Sequence, residues 1–143
     1  MSDITKLTLQ QTIAGLKSKQ FSATEIVSAY IKNIENNSNL NAYITTDFEN
    51  SLKKAKLADE KIAQQQSLTL EGIPVAIKDL FCTKNLKTTC GSKMLENFIP
   101  PYESTVTQKL LDAGAIFLGK TNMDEFAMGS TTTTSYFGKT INP

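Results

Sequence analysis

Gly72-Ile73-Pro74-Val75-Ala76-Ile77-Lys78-Asp79 is the stretch on which the fold turns. Gly-Ile-Pro punctuates the chain, and Val75-Ala76-Ile77 then reads as a short buried strand. Downstream, Ser104 is placed to cap a helix over residues 105–113, with Gly114 at its C′ position. Ala115-Ile116-Phe117-Leu118 follows as a second buried strand. Strand, crossover helix, strand predicts a parallel pair in an α/β sheet. Between the strands, residues 82–103 contain Gly91, Pro100 and Pro101 and read as irregular. After the second strand, Thr121 or Asn122 is expected to cap a further short helix running through Met128.

Upstream, the chain reads as helical. Thr8 with Gln11, and Ser22 with Glu25, fit the S/T-x-x-E/Q capping box. Ile26, Tyr30 and Ile34 recur every four residues, and Val27 and Ile31 widen the stripe, which marks one buried helix face. The asparagine-rich residues 36–41 break that pattern, and Asn41-Ala42-Tyr43-Ile44-Thr45-Thr46 suits a short extended piece. Asp47 opens a long helix to about Gln66, with Leu52, Ala55, Ala58 and Ile62 inward. Its Lys53, Lys54, Lys56, Asp59, Glu60 and Lys61 are read as a solvated face.

Composition narrows the chemistry. The chain has 143 residues, a net charge of +1 and no histidine, and all 15 of its basic residues are lysines. Without histidine it supplies no Ser-His-Asp or Cys-His pair and no histidine-ligated zinc. Without arginine it has no bidentate fork for phosphate. Near-zero charge argues against a nucleic-acid-coating surface. Cys82 and Cys90 are too few for a disulfide framework, and two free thiols in a reducing cytoplasm is the simpler reading. No signal peptide or membrane-length apolar run is present. The serine/threonine run at 130–135 reads as a polar loop.

Residues 114–121 (Gly-Ala-Ile-Phe-Leu-Gly-Lys-Thr) match the P-loop pattern letter for letter. A P-loop needs a bare loop between its glycines, with N–H groups aimed at phosphate. Ala-Ile-Phe-Leu is a buried strand instead, so the match is rejected. Lys78 is the more informative lysine. It stands at the carboxyl end of a strand, where α/β clefts form. It could simply snorkel from the sheet edge. A strand neighbour points to the opposite face, so a pair with Asp79 is not automatic. A lysine desolvated by burial can serve as a general base, a route that needs no histidine.

Residues 72–79, then Thr88-Thr89-Cys90-Gly91-Ser92, then Gly119-Lys120-Thr121-Asn122-Met123-Asp124-Glu125-Phe126-Ala127-Met128-Gly129-Ser130, resemble the amidase signature family. The resemblance runs along essentially the whole chain, and the last stretch is most similar to A subunits of aspartyl/glutamyl-tRNA amidotransferases. It implies an α/β/α sandwich around a larger mixed sheet, of which residues 1–143 are the amino-terminal part. Within it, residues 1–66 are a mainly helical layer and 67–143 the start of the α/β core. It implies a Ser–cis-Ser–Lys triad in which Lys78 is the lysine. Neutral Lys78 draws a proton through the cis-serine from the nucleophilic serine, which attacks the amide carbon of glutamine while backbone N–H groups hold the oxyanion.

Both serines belong to a glycine/serine-rich segment that nothing up to Pro143 resembles, so the chain is expected to be an inactive amino-terminal fragment. The released ammonia is implied to travel to a partner. B and C subunits complete the heterotrimer, and ATP and Mg²⁺ at the partner activate the tRNA-bound glutamate or aspartate. Met128, Gly129 and Ser130 are implied to line the amide cleft, against the plainer reading of a helix end with a capping glycine. Thr89, Gly91 and Ser92 are read as a supporting turn, and Asp124 and Glu125 as acids favouring a helix N-terminus. Two other readings stay open: an amidase of the same family acting on small amides without partners, and a non-catalytic binding module.

Overall fold

The computed structural model describes residues 3–143. Four helices and three strands alternate: α1 (Leu9–Lys17), α2 (Ala23–Asn36), β1 (Tyr43–Thr46), α3 (Phe48–Ala63), β2 (Pro74–Lys78), α4 (Thr105–Asp112) and β3 (Ile116–Thr121). The sheet order is β1-β3-β2, with β1 antiparallel and β2 parallel to β3. The fold is therefore mixed α/β, and the β2–α4–β3 unit is the parallel crossover that the sequence predicts.

Local chemistry sets the helix ends. Both capping boxes form, Thr8 with Gln11 and Ser22 with Glu25. Helix α3 stops three residues short of Gln66, because Gln65 turns left-handed (φ 59°) and the Gln66 N–H closes back onto the Lys61 carbonyl at 2.9 Å. Its charged face is less solvated than its pattern suggests. Asp59 is half-buried and caps α2: Oδ1 accepts from the Ala23 N–H at 2.6 Å, and Oδ2 accepts from the Thr24 N–H and hydroxyl. Lys61 pairs with buried Glu71 at 3.3 Å, and Lys54 lies over the Phe117 ring.

The sheet is covered on both faces. Ile73, Ile116 and Leu118 pack with Ile26, Val27 and Ile31 of α2 and Ala55 and Ala58 of α3. Ile77, Ala115 and Phe117 pack with Leu110 and Leu111 of α4. The middle strand β3 is buried over almost its whole length, as expected for a strand sandwiched between helix layers. Gly119 sits where β1 crosses close: a Cβ there would strike the Thr45 carbonyl. That close approach explains the second glycine of the P-loop look-alike, whose inter-glycine residues are strand.

The helix expected from residue 121 or 122 through Met128 is absent. In its place is a single 3₁₀ turn, Glu125–Ala127, with Phe126 and Ala127 both left-handed (φ 50° and 60°). The cause is Asp124, whose carboxylate draws the following threonine loop around itself. It accepts from the N–H groups of Thr131 (2.9 Å), Thr132 (2.8 Å) and Thr134 (3.1 Å), and from the Thr134 hydroxyl (2.9 Å).

Candidate functional site

Strand alternation decides where Lys78 goes. Ile77 and Asp79 are buried on one face of β2, while Ala76 and Lys78 are exposed on the other. Lys78 is register partner to Thr121, and its carbonyl accepts from the Phe81 N–H at 3.0 Å, which turns the chain sharply out of the strand. The amine thus stands at the carboxyl end of a parallel strand. The desolvation a lysine base needs is not supplied by the described residues around it.

Asp79 does not pair with Lys78. It pairs with Lys120 of β3, Oδ1 to Nζ 3.4 Å, and both side chains are fully buried. Lys120 also donates to the Phe81 carbonyl and to Thr88 Oγ1, each at 2.7 Å. Burial pushes the Lys120 amine below the usual lysine value, and the Asp79 carboxylate pulls it back up. The other oxygen of Asp79 accepts from the Thr89 N–H at 2.9 Å and from the Thr89 hydroxyl.

The three sequence motifs converge through this cluster. The Cys90 N–H donates to the Asp79 carbonyl (3.0 Å), the Phe126 N–H to the Cys90 carbonyl (2.9 Å), and the Tyr136 N–H to the Gly91 carbonyl (2.8 Å). Ser92 Oγ donates to Glu125 Oε1 at 2.6 Å. Gly91 is left-handed (φ 66°), and a Cβ there would stand 2.6 Å from the Met123 carbonyl oxygen. The turn at 88–92 is thus clamped between the end of β2 and the segment after β3, which is the supporting role read for Thr89, Gly91 and Ser92. Burial, then the Asp79 charge, pushes the Cys90 thiol up, away from the reactive thiolate.

Met128, Gly129 and Ser130 are all exposed, and Met128 is 80% accessible. Gly129 is not the left-handed cap of a helix. It lies against Asp124, where a Cβ would meet the carboxylate carbon at 2.5 Å. Asp124 and Glu125 work through these loop contacts, not as acids at a helix N-terminus. The carboxylate of Asp124 is held down to about 2 by its hydrogen bonds, the Thr134 N–H first. A groove of about 620 Å³, lined by Tyr30, Ile34, Leu40, Tyr43 and Phe48, contains none of the motif residues. Among the described residues no three His, Cys, Asp or Glu side chains gather as metal ligands. No described helix is long and apolar enough to cross a membrane.

Two features escape a reading of the sequence. Lys120 stands out there only as part of the P-loop look-alike, although its register opposite Ile77 puts it on the buried face with Asp79. Asp124 has the look of a helix-start acid, although four threonines follow it seven to ten residues on.

An exposed lysine at the carboxyl end of a parallel strand, backed by a clamped threonine–cysteine–glycine–serine turn, is the arrangement of the amidase family. Residues 25–143 match that family, and the chain belongs to it. Over its full length it is 53% identical to the A subunit of the glutamyl-tRNA(Gln) amidotransferase of Rickettsia bellii (strain OSU 85-389) and 55% identical to that of Pelagibacter ubique (strain HTCC1062). It spans 29% of the length of each. A solved structure of a vestigial protein complex, tied to the evolutionary origins of an s-triazine catabolic enzyme, superposes with a TM-score of 0.90 at 32% identity. That match covers 96% of this chain and 31% of the other.

Proposed function

We propose that the chain is the amino-terminal part of the glutamine-hydrolysing A subunit of a tRNA-dependent amidotransferase. The observation that carries this is the full-length similarity, above half identity, to two proteins of that name. Lys78 is the base. It relays a proton through a cis-serine from the nucleophilic serine, both lying outside these residues, and the serine attacks the side-chain amide of glutamine. Ammonia leaves, and water clears the acyl-enzyme. Met128, Gly129 and Ser130 line the amide cleft, which suits their exposure. The residues that desolvate Lys78 also lie outside this chain, so residues 1–143 alone are inactive. The B and C subunits complete a cytoplasmic heterotrimer, in which the partner binds ATP and Mg²⁺ and passes ammonia to the charged tRNA.

The test is to purify the full gene product with and without its partner subunits. Ammonia release from glutamine is followed, together with ATP-dependent conversion of Glu-tRNA(Gln) or Asp-tRNA(Asn). Partner-dependent amidation is the expected result. Hydrolysis of small amides with no response to the partners would place the protein among partner-free amidases instead.

A further inference from the structure

We propose that Lys120 is a positioning residue for Lys78; this rests on the reading of Lys78 as the base of the amide-hydrolysing site. Lys120 has three donors and spends them on one short piece of chain. The Asp79 carboxylate, the Phe81 carbonyl and the Thr88 hydroxyl all belong to the segment leaving β2. That segment holds Lys78 from both sides. The Asp79 N–H donates to the Thr121 carbonyl at 3.1 Å, and the Phe81 N–H to the Lys78 carbonyl at 3.0 Å. Asp79 then reaches on to the turn at 88–92 through Thr89 and Cys90. The buried ammonium thereby locks the end of β2, the tight turn after it and the supporting turn into one block. Lys78 projects from the opposite face of that block, so Lys120 touches neither the base nor its substrate.

The chemistry of the pair fits this role better than a purely stabilising one. Well-packed apolar residues of the same volume would stabilise the sheet as well as a buried ion pair does, but without fixing one arrangement of the acceptors. Asp79 Oδ1 faces the ammonium at ion-pair distance with no well-aligned hydrogen bond of its own. Its orientation therefore depends on the charge of Lys120.

The experiment compares Lys120→Met, Asp79→Asn and the double variant in the full gene product, by glutamine-hydrolysis kinetics and thermal melts. Lys120→Met strands a buried carboxylate and is expected to lower Tm by roughly 10 °C. The double variant removes both charges and recovers at least half of that loss. Its kcat nevertheless stays down by about 30-fold, with KM for glutamine within about twofold, because the base is misplaced while substrate binding is untouched. Recovery of kcat together with Tm would reduce the pair to a structural one and overturn the proposal. Should neither Lys120 variant fold, Asp79→Asn decides: kcat lowered by about tenfold at unchanged KM supports positioning, and wild-type kcat overturns it. A wild-type product that releases no ammonia from glutamine overturns the site reading itself and this role with it, a result distinct from any difference among variants.

Discussion

Asp124 holds four hydrogen bonds on one carboxylate, and that single side chain replaces an expected helix with a loop. Its folded-state pKa of about 2 lies below the ordinary 3.8, so its contribution to stability is complete above pH 3.8 and fades as pH falls towards 2. Asp124→Asn is expected to melt below wild type near neutral pH, with the gap closing between pH 4 and 2; a gap that stays constant with pH would contradict the clamp. Residue-level reading of the sequence succeeds where one neighbour decides, as for the capping boxes and for Asp79 pointing away from Lys78. It fails where the partner lies far along the chain. Lys120 and Asp79 are brought together by strand register, and nothing local in Gly119-Lys120-Thr121 announces a buried ammonium.

Among the elements, α2 shows how two helices share one terminus. Ser22 supplies the local cap, and Asp59 of α3 adds three hydrogen bonds to the first turn. Ser22→Ala is expected to cost about 1 kcal/mol. Asp59→Ala removes charge-assisted bonds and ties between two helices, and is expected to cost about 2–3 kcal/mol. Urea melts of the full gene product check the order, and an Asp59 variant as stable as the Ser22 variant would contradict it. The element types and the parallel β2–α4–β3 unit follow from periodicity, caps and punctuation because each depends on neighbouring residues. The antiparallel placement of β1 against β3 does not, because it is set by the Gly119 close approach and by packing of α3 over the sheet. The apparent solvated face of α3 misleads for the same reason: Asp59 and Lys61 find partners that only the tertiary fold brings near.

At the scale of the molecule, both outer strands of the three-stranded sheet keep an unpaired edge among the described residues, and the face bearing Ala76 and Lys78 is open. Such edges are sticky. Residues 1–143 expressed alone are therefore expected to self-associate on size exclusion and to melt broadly, and a monomer with a sharp two-state transition would contradict that. Histidine's absence excludes one kind of nucleophilic catalysis and leaves the lysine kind, which is the chemistry assigned to Lys78. The most direct measurement of that assignment is ammonia release from glutamine by the full gene product with Lys78→Ala. The account predicts turnover at background, a loss of at least about 10³-fold, with Tm within a few degrees of wild type because the side chain is exposed. Wild-type turnover in that variant would contradict it.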